Sequence, residues 1–264
     1  MKRLRDVFSE RRKPLVIFLT AGFPGPGRDE ELAHAVLDAG ADIIELGFPF
    51  SDPLADGPLI QKASGMALAA GMTLKKTMDL AGRLRRENAG VPIILMGYAN
   101  PVYHMGYRDF AGRAKEMGVD GAIIPDLPLE EGRPLRNELA AGKMALIPMA
   151  APNTPSGRLT EILRNGSGFL YLVSMAGLTG DVFQADAPWR QSASTARESG
   201  ALPVCVGFGI RNGQDAARAA ESADGVIVGS AVTARILDAP DDKSAVRNVV
   251  NLVRELRAGM DSAT

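Results

Sequence analysis

Three groups of residues in this sequence have types and spacing suited to chemistry. The first is Glu45, inside the apolar run Ile43-Ile44-Glu45-Leu46-Gly47-Phe48. A carboxylate in a strand with no solvated face costs several kcal/mol unless it is paired or opens on a cavity. Burial also raises its pKa towards neutrality, which suits a general acid or base. The competing reading is a structural carboxylate held by a backbone or basic partner. The second group is the loop Pro49 to Pro58, which holds Asp52 and Asp56 among three prolines. Proline stiffens the loop enough to hold a carboxylate in place, although either acid could instead be a turn-former bonding its own backbone. The third is a pair of glycine-rich strand ends, Gly207-Phe208-Gly209 and Gly229-Ser230. Glycine lets backbone N–H groups approach an anion closely, and Ser230 adds a hydroxyl, so the pair points to phosphate binding.

These groups need a scaffold that brings them to one place. Eight apolar runs recur along the chain, beginning at Pro14, Ala41, Val91, Gly118, Lys143, Gly168, Leu202 and Asp224, with helical segments between them. The runs are continuous rather than alternating, as strands covered on both faces should be. The pattern predicts an α/β fold, a (β/α)8 TIM barrel occupying residues 1–264 as one catalytic domain, with an extra helix over Lys2 to Arg11 closing the barrel floor. An open doubly wound sheet would permit the same alternation, but a count of eight favours closure. The glycines of Ala21 to Gly27 also have the wrong spacing for a dinucleotide fingerprint. Thr154 and Pro155 are placed to start a helix that Gly166 closes, and Asn212 to cap another. Val246, Val249, Val250, Val253 and Leu256 form the stripe of a last amphipathic helix, with Asp261 to Thr264 expected to fray. In a barrel the active site lies at the C-terminal strand ends, and the loops after strands seven and eight commonly hold phosphate. The three groups of residues map to that end.

Composition narrows the classes of function. With 46% hydrophobic residues, 23% charged residues and a net charge of -1 in 264 residues, a sizeable core can be buried. The positive charges, such as Arg83, Arg85 and Arg86, are spread over helix faces and do not form a patch for nucleic acid. No segment has the apolar length of a membrane span, and the N-terminus lacks the run of a secretory signal, so a cytoplasmic protein is expected. The single cysteine, Cys205, reads as a small buried hydrophobe. His34 and His104 are too few, and too poorly accompanied, for a metal site.

The run ELGFPFSDPLADGPLIQKA, Glu45 to Ala63, resembles the signature of the tryptophan synthase alpha-subunit family. LTAGFPG from Leu19, MGYANPV from Met96, PDLPLEE from Pro125, SMAGLTG from Ser174 and GFGI from Gly207 extend the resemblance in order and spacing. The resemblance implies retro-aldol cleavage of indole-3-glycerol phosphate to indole and glyceraldehyde 3-phosphate. It implies Glu45 as the acid/base and Asp56 as the second acid, which stabilises positive charge at the indole nitrogen. Phe18, Ile60, Met96, Ile123 and Phe208 would form the indole pocket, with Tyr171 beside the catalytic centre, where its buried phenol needs a partner. Gly180, Gly209, Gly229 and Ser230 would hold the phosphate, and Thr179 would belong to a mobile loop that closes on Asp56.

The resemblance further implies a beta-subunit partner in an alpha2-beta2 heterotetramer, with Asp52, Pro53 and Asn100 at the interface. Pyridoxal phosphate would belong to that partner, and no cofactor or metal to this chain. Two departures stand out. The run Asp181 to Asp186 is acidic where the family usually has a basic residue, and Met66 replaces an arginine common after the IQxA motif. No lysine lies at a matching strand end, which argues against Schiff-base chemistry. The alternatives are another phosphate-binding barrel of aromatic biosynthesis, such as a phosphoribosylanthranilate isomerase or indole-glycerol-phosphate synthase, and a catalytically silent partner of a beta subunit. The Glu45 to Ala63 run argues against the first, and retention of Glu45 and Asp56 against the second.

Overall fold

The computed structural model describes residues 1–10, 12–174 and 188–263. Each of the eight apolar runs forms a parallel strand. These are β1 (Leu15–Thr20), β2 (Ile43–Gly47), β3 (Ile93–Met96), β4 (Gly121–Ile123), β5 with β6 (Ala145–Leu146 and Met149–Ala150), β7 (Leu170–Val173), β8 (Val204–Gly207) and β9 (Gly225–Val228). The run from Lys143 is thus split into two short segments. Pro148 has no N–H to give to a ladder, and the strand breaks around it.

The hydrogen-bonded order is β5-β4-β3-β2-β1-β9-β8-β7-β6, whose two ends are separated in sequence only by Ile147 and Pro148. Ile147 N–H donates to Ala122 O on β4 at 2.9 Å, and Pro148 O accepts from Tyr171 N–H on β7 at 2.9 Å. One chain segment therefore joins both edges, and the sheet closes into a TIM barrel.

Twelve helices are present among the described residues: α1 (Lys2–Ser9), α2 (Arg28–Asp38), α3 (Pro58–Ala69), α4 (Leu74–Glu87), α5 (Ala99–Met105), α6 (Tyr107–Glu116), α7 (Arg133–Ala141), α8 (Ser156–Asn165), α9 (Trp189–Glu198), α10 (Gly213–Ser222), α11 (Ser230–Leu237) and α12 (Asp242–Ser262). Asn212 caps α10 as expected, its side chain accepting from Asp215 N–H at 2.9 Å. Thr154 does not cap α8. Pro155 takes that position, while the Thr154 hydroxyl accepts from Ala151 N–H and closes the preceding turn. Helix α12 continues through Ser262, further than the expected fraying point, because Leu256 and Met260 keep its stripe buried.

Two apolar layers result. Outside the barrel, Leu32, Val36, Leu80, Phe110, Trp189, Val253 and their neighbours pack the helices onto the sheet. Inside it, Val16, Ile43, Ile94, Ile123, Ile147, Phe169, Cys205 and Ile227 fill the bore. Leu4 of α1 joins this inner group at 1% exposure, with Val7 and Phe8 packed beneath it, so the N-terminal helix does close the floor. Cys205 is a buried hydrophobe in the bore.

The floor carries a repeated polar device. Asp42, Asp120 and Asp224 each precede a strand, and each accepts the first N–H of a neighbouring strand: Leu15 at 2.8 Å, Ile93 at 3.0 Å and Val204 at 2.9 Å. Each also binds arginine: Arg12 and Arg257 on Asp42, Arg3 and Arg85 on Asp120, and Arg197 on Asp224. The three aspartates at this end are therefore paired, which is what burial requires of a carboxylate.

Candidate active site

At the opposite end of the bore, the C-terminal strand ends surround a pocket with about 430 Å³ of empty space. Phe18 comes from β1, Glu45 from β2, Met96 from β3 and Tyr171 from β7; Phe208 and Gly209 follow β8, and Gly229 and Ser230 follow β9. Asp56 and Ile60 reach in from the loop after β2 and from α3. Strand register explains part of this assembly. Glu45 lies opposite Phe18 on one side and Ile94 on the other, so its side chain must enter the bore.

Glu45 is 0% exposed, and neither carboxylate oxygen has a hydrogen-bond partner among the described residues. Burial first, and the nearby Asp56 second, raise its pKa to about 8. Asp56 is also desolvated, which raises its pKa to about 6, while a hydrogen bond from Tyr98 works in the other direction. At pH 7 the two acids therefore favour opposite states, with Glu45 protonated and Asp56 ionised. Asp52, the other acid of the loop, is exposed and its carboxylate takes the Ser51 hydroxyl at 2.5 Å. Residue types alone left the two acids of this loop open, and the family resemblance singled out Asp56; the fold turns Asp56 inward and Asp52 outward.

The apolar walls are shaped by close approaches. A Cβ on Gly47 would lie 2.5 Å from the Phe18 ring, and one on Gly207 would lie 2.6 Å from the Tyr171 hydroxyl. These glycines leave room for the two aromatic side chains. Phe208 adopts a φ of 80°, a left-handed conformation that costs a non-glycine residue about 1–2 kcal/mol. Ser174 holds that turn by donating its hydroxyl to Phe208 O at 2.7 Å, and the Phe208 ring meets Tyr171 edge-on at 6.0 Å. Burial raises the Tyr171 phenol pKa well above its ordinary value, with Glu45 and Asp56 adding to the effect. The expected partner for that hydroxyl is not found among the described residues.

The anion-binding expectation rests on Gly209, Gly229 and Ser230. Gly229 is the N-cap of α11 and Ser230 its first residue, so the free N–H groups of the helix start at the pocket wall. No lysine or arginine lines the pocket among the described residues. Ile123 pairs in register with Met96 on the neighbouring strand and is fully buried in the inner cluster against which Met96 packs, although it is not itself among the residues lining the pocket. Thr179 and Gly180, with the acidic run Asp181 to Asp186, lie outside the described residues.

Asp52 and Pro53 lie in the loop after β2 and Asn100 in α5; Asp52 and Asn100 are exposed and Pro53 is half-buried, and each stretch also carries a strongly exposed apolar residue, Leu54 and Tyr103. Met66, on α3, is also exposed. His34 is better accompanied than its sequence neighbourhood suggests, since Glu30 and Glu87 lie close to it. Arg83 pairs with Glu30, however, and Asn88 faces the His34 ring, so the trio already has protein partners.

Sequence reading missed Tyr98. Its hydroxyl donates to Asp56 Oδ2 at 3.0 Å and accepts from Ala55 N–H at 3.0 Å. The available signal was its position, two residues past Met96 at the C-terminal end of β3.

Comparison with known proteins agrees with this geometry. The family model described as tryptophan synthase alpha chain matches residues 4–261. The tryptophan synthase alpha chain of Thiobacillus denitrificans is 42% identical, with 100% of this chain and 98% of the relative covered. Among solved structures, the tryptophan synthase alpha chain of Legionella pneumophila superposes with a TM-score of 0.88 at 35% identity, covering 99% of this chain and 96% of that one. A Mycobacterium tuberculosis tryptophan synthase chain gives 0.87 at 30% identity, covering 98% and 96%.

Proposed function

The chain belongs to the tryptophan synthase alpha chain family, the lyase that cleaves indole-3-glycerol phosphate, and we propose that Glu45 and Asp56 carry that reaction here. The observation that carries this reading is Glu45 itself, a fully buried carboxyl with no hydrogen-bond partner among the described residues, facing a pocket it shares with a second acid of lower pKa.

The indole ring sits among Phe18, Ile60, Met96 and Phe208, and the phosphate meets the N–H groups at Gly209, Gly229 and Ser230. Protonated Glu45 gives its proton to indole C3, which converts the ring to an electron-accepting indolenine. The resulting carboxylate takes the proton of the side-chain hydroxyl. The carbon–carbon bond then breaks, its electron pair returns to the ring, and the hydroxyl carbon becomes the aldehyde of glyceraldehyde 3-phosphate. Glu45 ends as it began. Ionised Asp56 balances positive charge at the indole nitrogen during the same step. By the family resemblance, Thr179 and Gly180 are assigned to substrate binding as well.

The family implies a beta-subunit partner. We assign Asp52, Pro53 and Asn100 to that contact, within an alpha2-beta2 heterotetramer in the cytoplasm. Indole passes to the partner, whose pyridoxal phosphate serves its condensation with serine. Residues 1–264 act as one catalytic domain.

The test is indole release from indole-3-glycerol phosphate, with and without a beta subunit, combined with a crystal soaked in glycerol 3-phosphate. Indole should appear in step with glyceraldehyde 3-phosphate, and the phosphate should contact Gly209, Gly229 or Ser230. Phosphate bound at the floor, or no indole under either condition, would overturn the assignment.

A further inference from the structure

We propose that Tyr98 is a positioning residue for this reaction: its hydroxyl, fixed between Ala55 N–H and the Asp56 carboxylate, holds Asp56 in the orientation and charge state that the substrate meets. The proposal rests on the role of Asp56 given above.

The geometry leaves the Tyr98 hydroxyl little freedom. A phenol has one proton to donate. Because its oxygen already accepts from Ala55 N–H, the proton is directed to Asp56 Oδ2. Among the described residues none bonds the other carboxylate oxygen of Asp56, which is left for the pocket. The ring is held as firmly. Tyr98 is 5% exposed and stacks on Phe50 with centroids 5.5 Å apart. Gly97 before it lies so close to Phe48 that a Cβ would come within 2.3 Å of that ring, and after it Ala99 N–H is tied to Asp126 at 2.8 Å. The Asp56 backbone is secured separately, by its own N–H to Pro53 O and by the Gln61 amide to its carbonyl. The loop would therefore keep its path without the phenol, while the carboxylate would lose its anchor.

The electrostatics agree. Burial pushes the Asp56 carboxyl towards its neutral form, and the Tyr98 hydrogen bond opposes this. The titratable groups around Asp56 are Glu45 of β2, Tyr171 of β7, and Tyr98, with Asp126 behind the last. No cation among the described residues contributes to holding Asp56 ionised. That task falls to a neutral phenol, which donates to the charged form without the Coulomb field that a lysine or arginine would impose on Glu45.

The experiment compares wild type with Tyr98→Phe across pH, in the chain saturated with its beta subunit. In the wild type, kcat/KM should rise through an acid limb near 6 as Asp56 ionises, and fall through an alkaline limb near 8 as Glu45 loses its proton. Tyr98→Phe keeps the stacked ring and removes the donor. It should lower kcat/KM at pH 7 by roughly tenfold, the effect of one hydrogen bond to a charged group, and shift the acid limb up by about one pH unit. Glycerol 3-phosphate should bind as in the wild type. Replacing Tyr98 with 3,5-difluorotyrosine, a stronger donor, should move the acid limb downwards. In an Asp56→Asn background, Tyr98→Phe should cause little further loss.

A Tyr98→Phe rate that falls equally at every pH, or that falls as much in the Asp56→Asn background as in wild type, would assign the phenol a purely structural role and overturn the proposal. A fully active Asp56→Asn variant would instead remove the underlying role of Asp56.

Discussion

Asp120 and Glu45 are both buried acids of the same barrel, 2% and 0% exposed, and the chain treats them in opposite ways. Asp120, on the floor, receives Arg85 at 2.7 Å, Arg3 at 3.0 Å and the N–H of Ile93 at 3.0 Å. Glu45, at the other end of the bore, has no partner on either oxygen among the described residues. Partnering a buried charge stabilises the fold and removes its reactivity, whereas leaving it unpartnered costs stability and moves its pKa into the range where protons are exchanged. The same residue chemistry thus serves as a structural fastening at one end and, in the proposed reaction, as the acid at the other. Barrels in general divide their two faces in this way.

Four measurements would break or sharpen that contrast. Glu45→Gln should have the largest effect, lowering indole release by about 10³-fold or more, because an amide keeps the shape but carries no proton to give. The variant should still bind glycerol 3-phosphate, and activity above a few per cent of wild type would place the acid elsewhere. Asp56→Asn should lower the rate by about 10²- to 10³-fold, the loss expected when one electrostatic stabiliser is removed from a desolvated site. An unchanged single-turnover rate would mean that another group balances the indole nitrogen.

The floor should respond in the other currency. Asp120→Ala removes the carboxylate that Arg85, Arg3 and the Ile93 N–H share, and should reduce stability by about 3 kcal/mol in urea unfolding, with kcat of the folded fraction within about twofold of wild type. A stable but inactive Asp120→Ala protein would erase the distinction between the two ends.

The fourth measurement is stability as a function of pH. The Glu45 pKa in the folded state is raised from 4.5 to about 8, so between those values the unfolded chain ionises this group while the folded chain cannot. The contribution of Glu45 to stability is fully present below pH 4.5 and is lost as pH rises to about 8. Glu45→Gln lacks that loss. Its melting temperature relative to wild type should therefore climb between pH 5 and pH 8, and a gap independent of pH would show that Glu45 has a partner in solution.

Much of this was legible from residue types alone. Eight apolar runs with helices between them specify a parallel barrel, because continuous hydrophobic strands need cover on both faces. Glu45 could be singled out because a charge in such a run demands an explanation, and the glycine-rich ends after β8 and β9 mark where a backbone can receive an anion. The sequence also repeats an aspartate just before β2, β4 and β9, at Asp42, Asp120 and Asp224, and that repeat is the floor device in one dimension. Its meaning stayed hidden, since the arginines that answer it are remote in the chain: Arg257 pairs with Asp42 across most of the sequence.

Tertiary structure alone decided the remaining questions, and each turns on direction or distance. It turned Asp56 into the pocket and left Asp52 outside, although both stand in one proline-rich loop. It brought the Tyr98 phenol from the end of β3 onto Asp56, and it set Ile123 level with Met96 on the neighbouring strand. It also held Phe208 in a left-handed conformation that composition gives no reason to expect. Residue types and their periodicity determine which segments must be buried, because burial is a local preference summed along the chain. Which two side chains meet in the closed bore depends on strand register and barrel closure, and these exist only once every strand has found its neighbour.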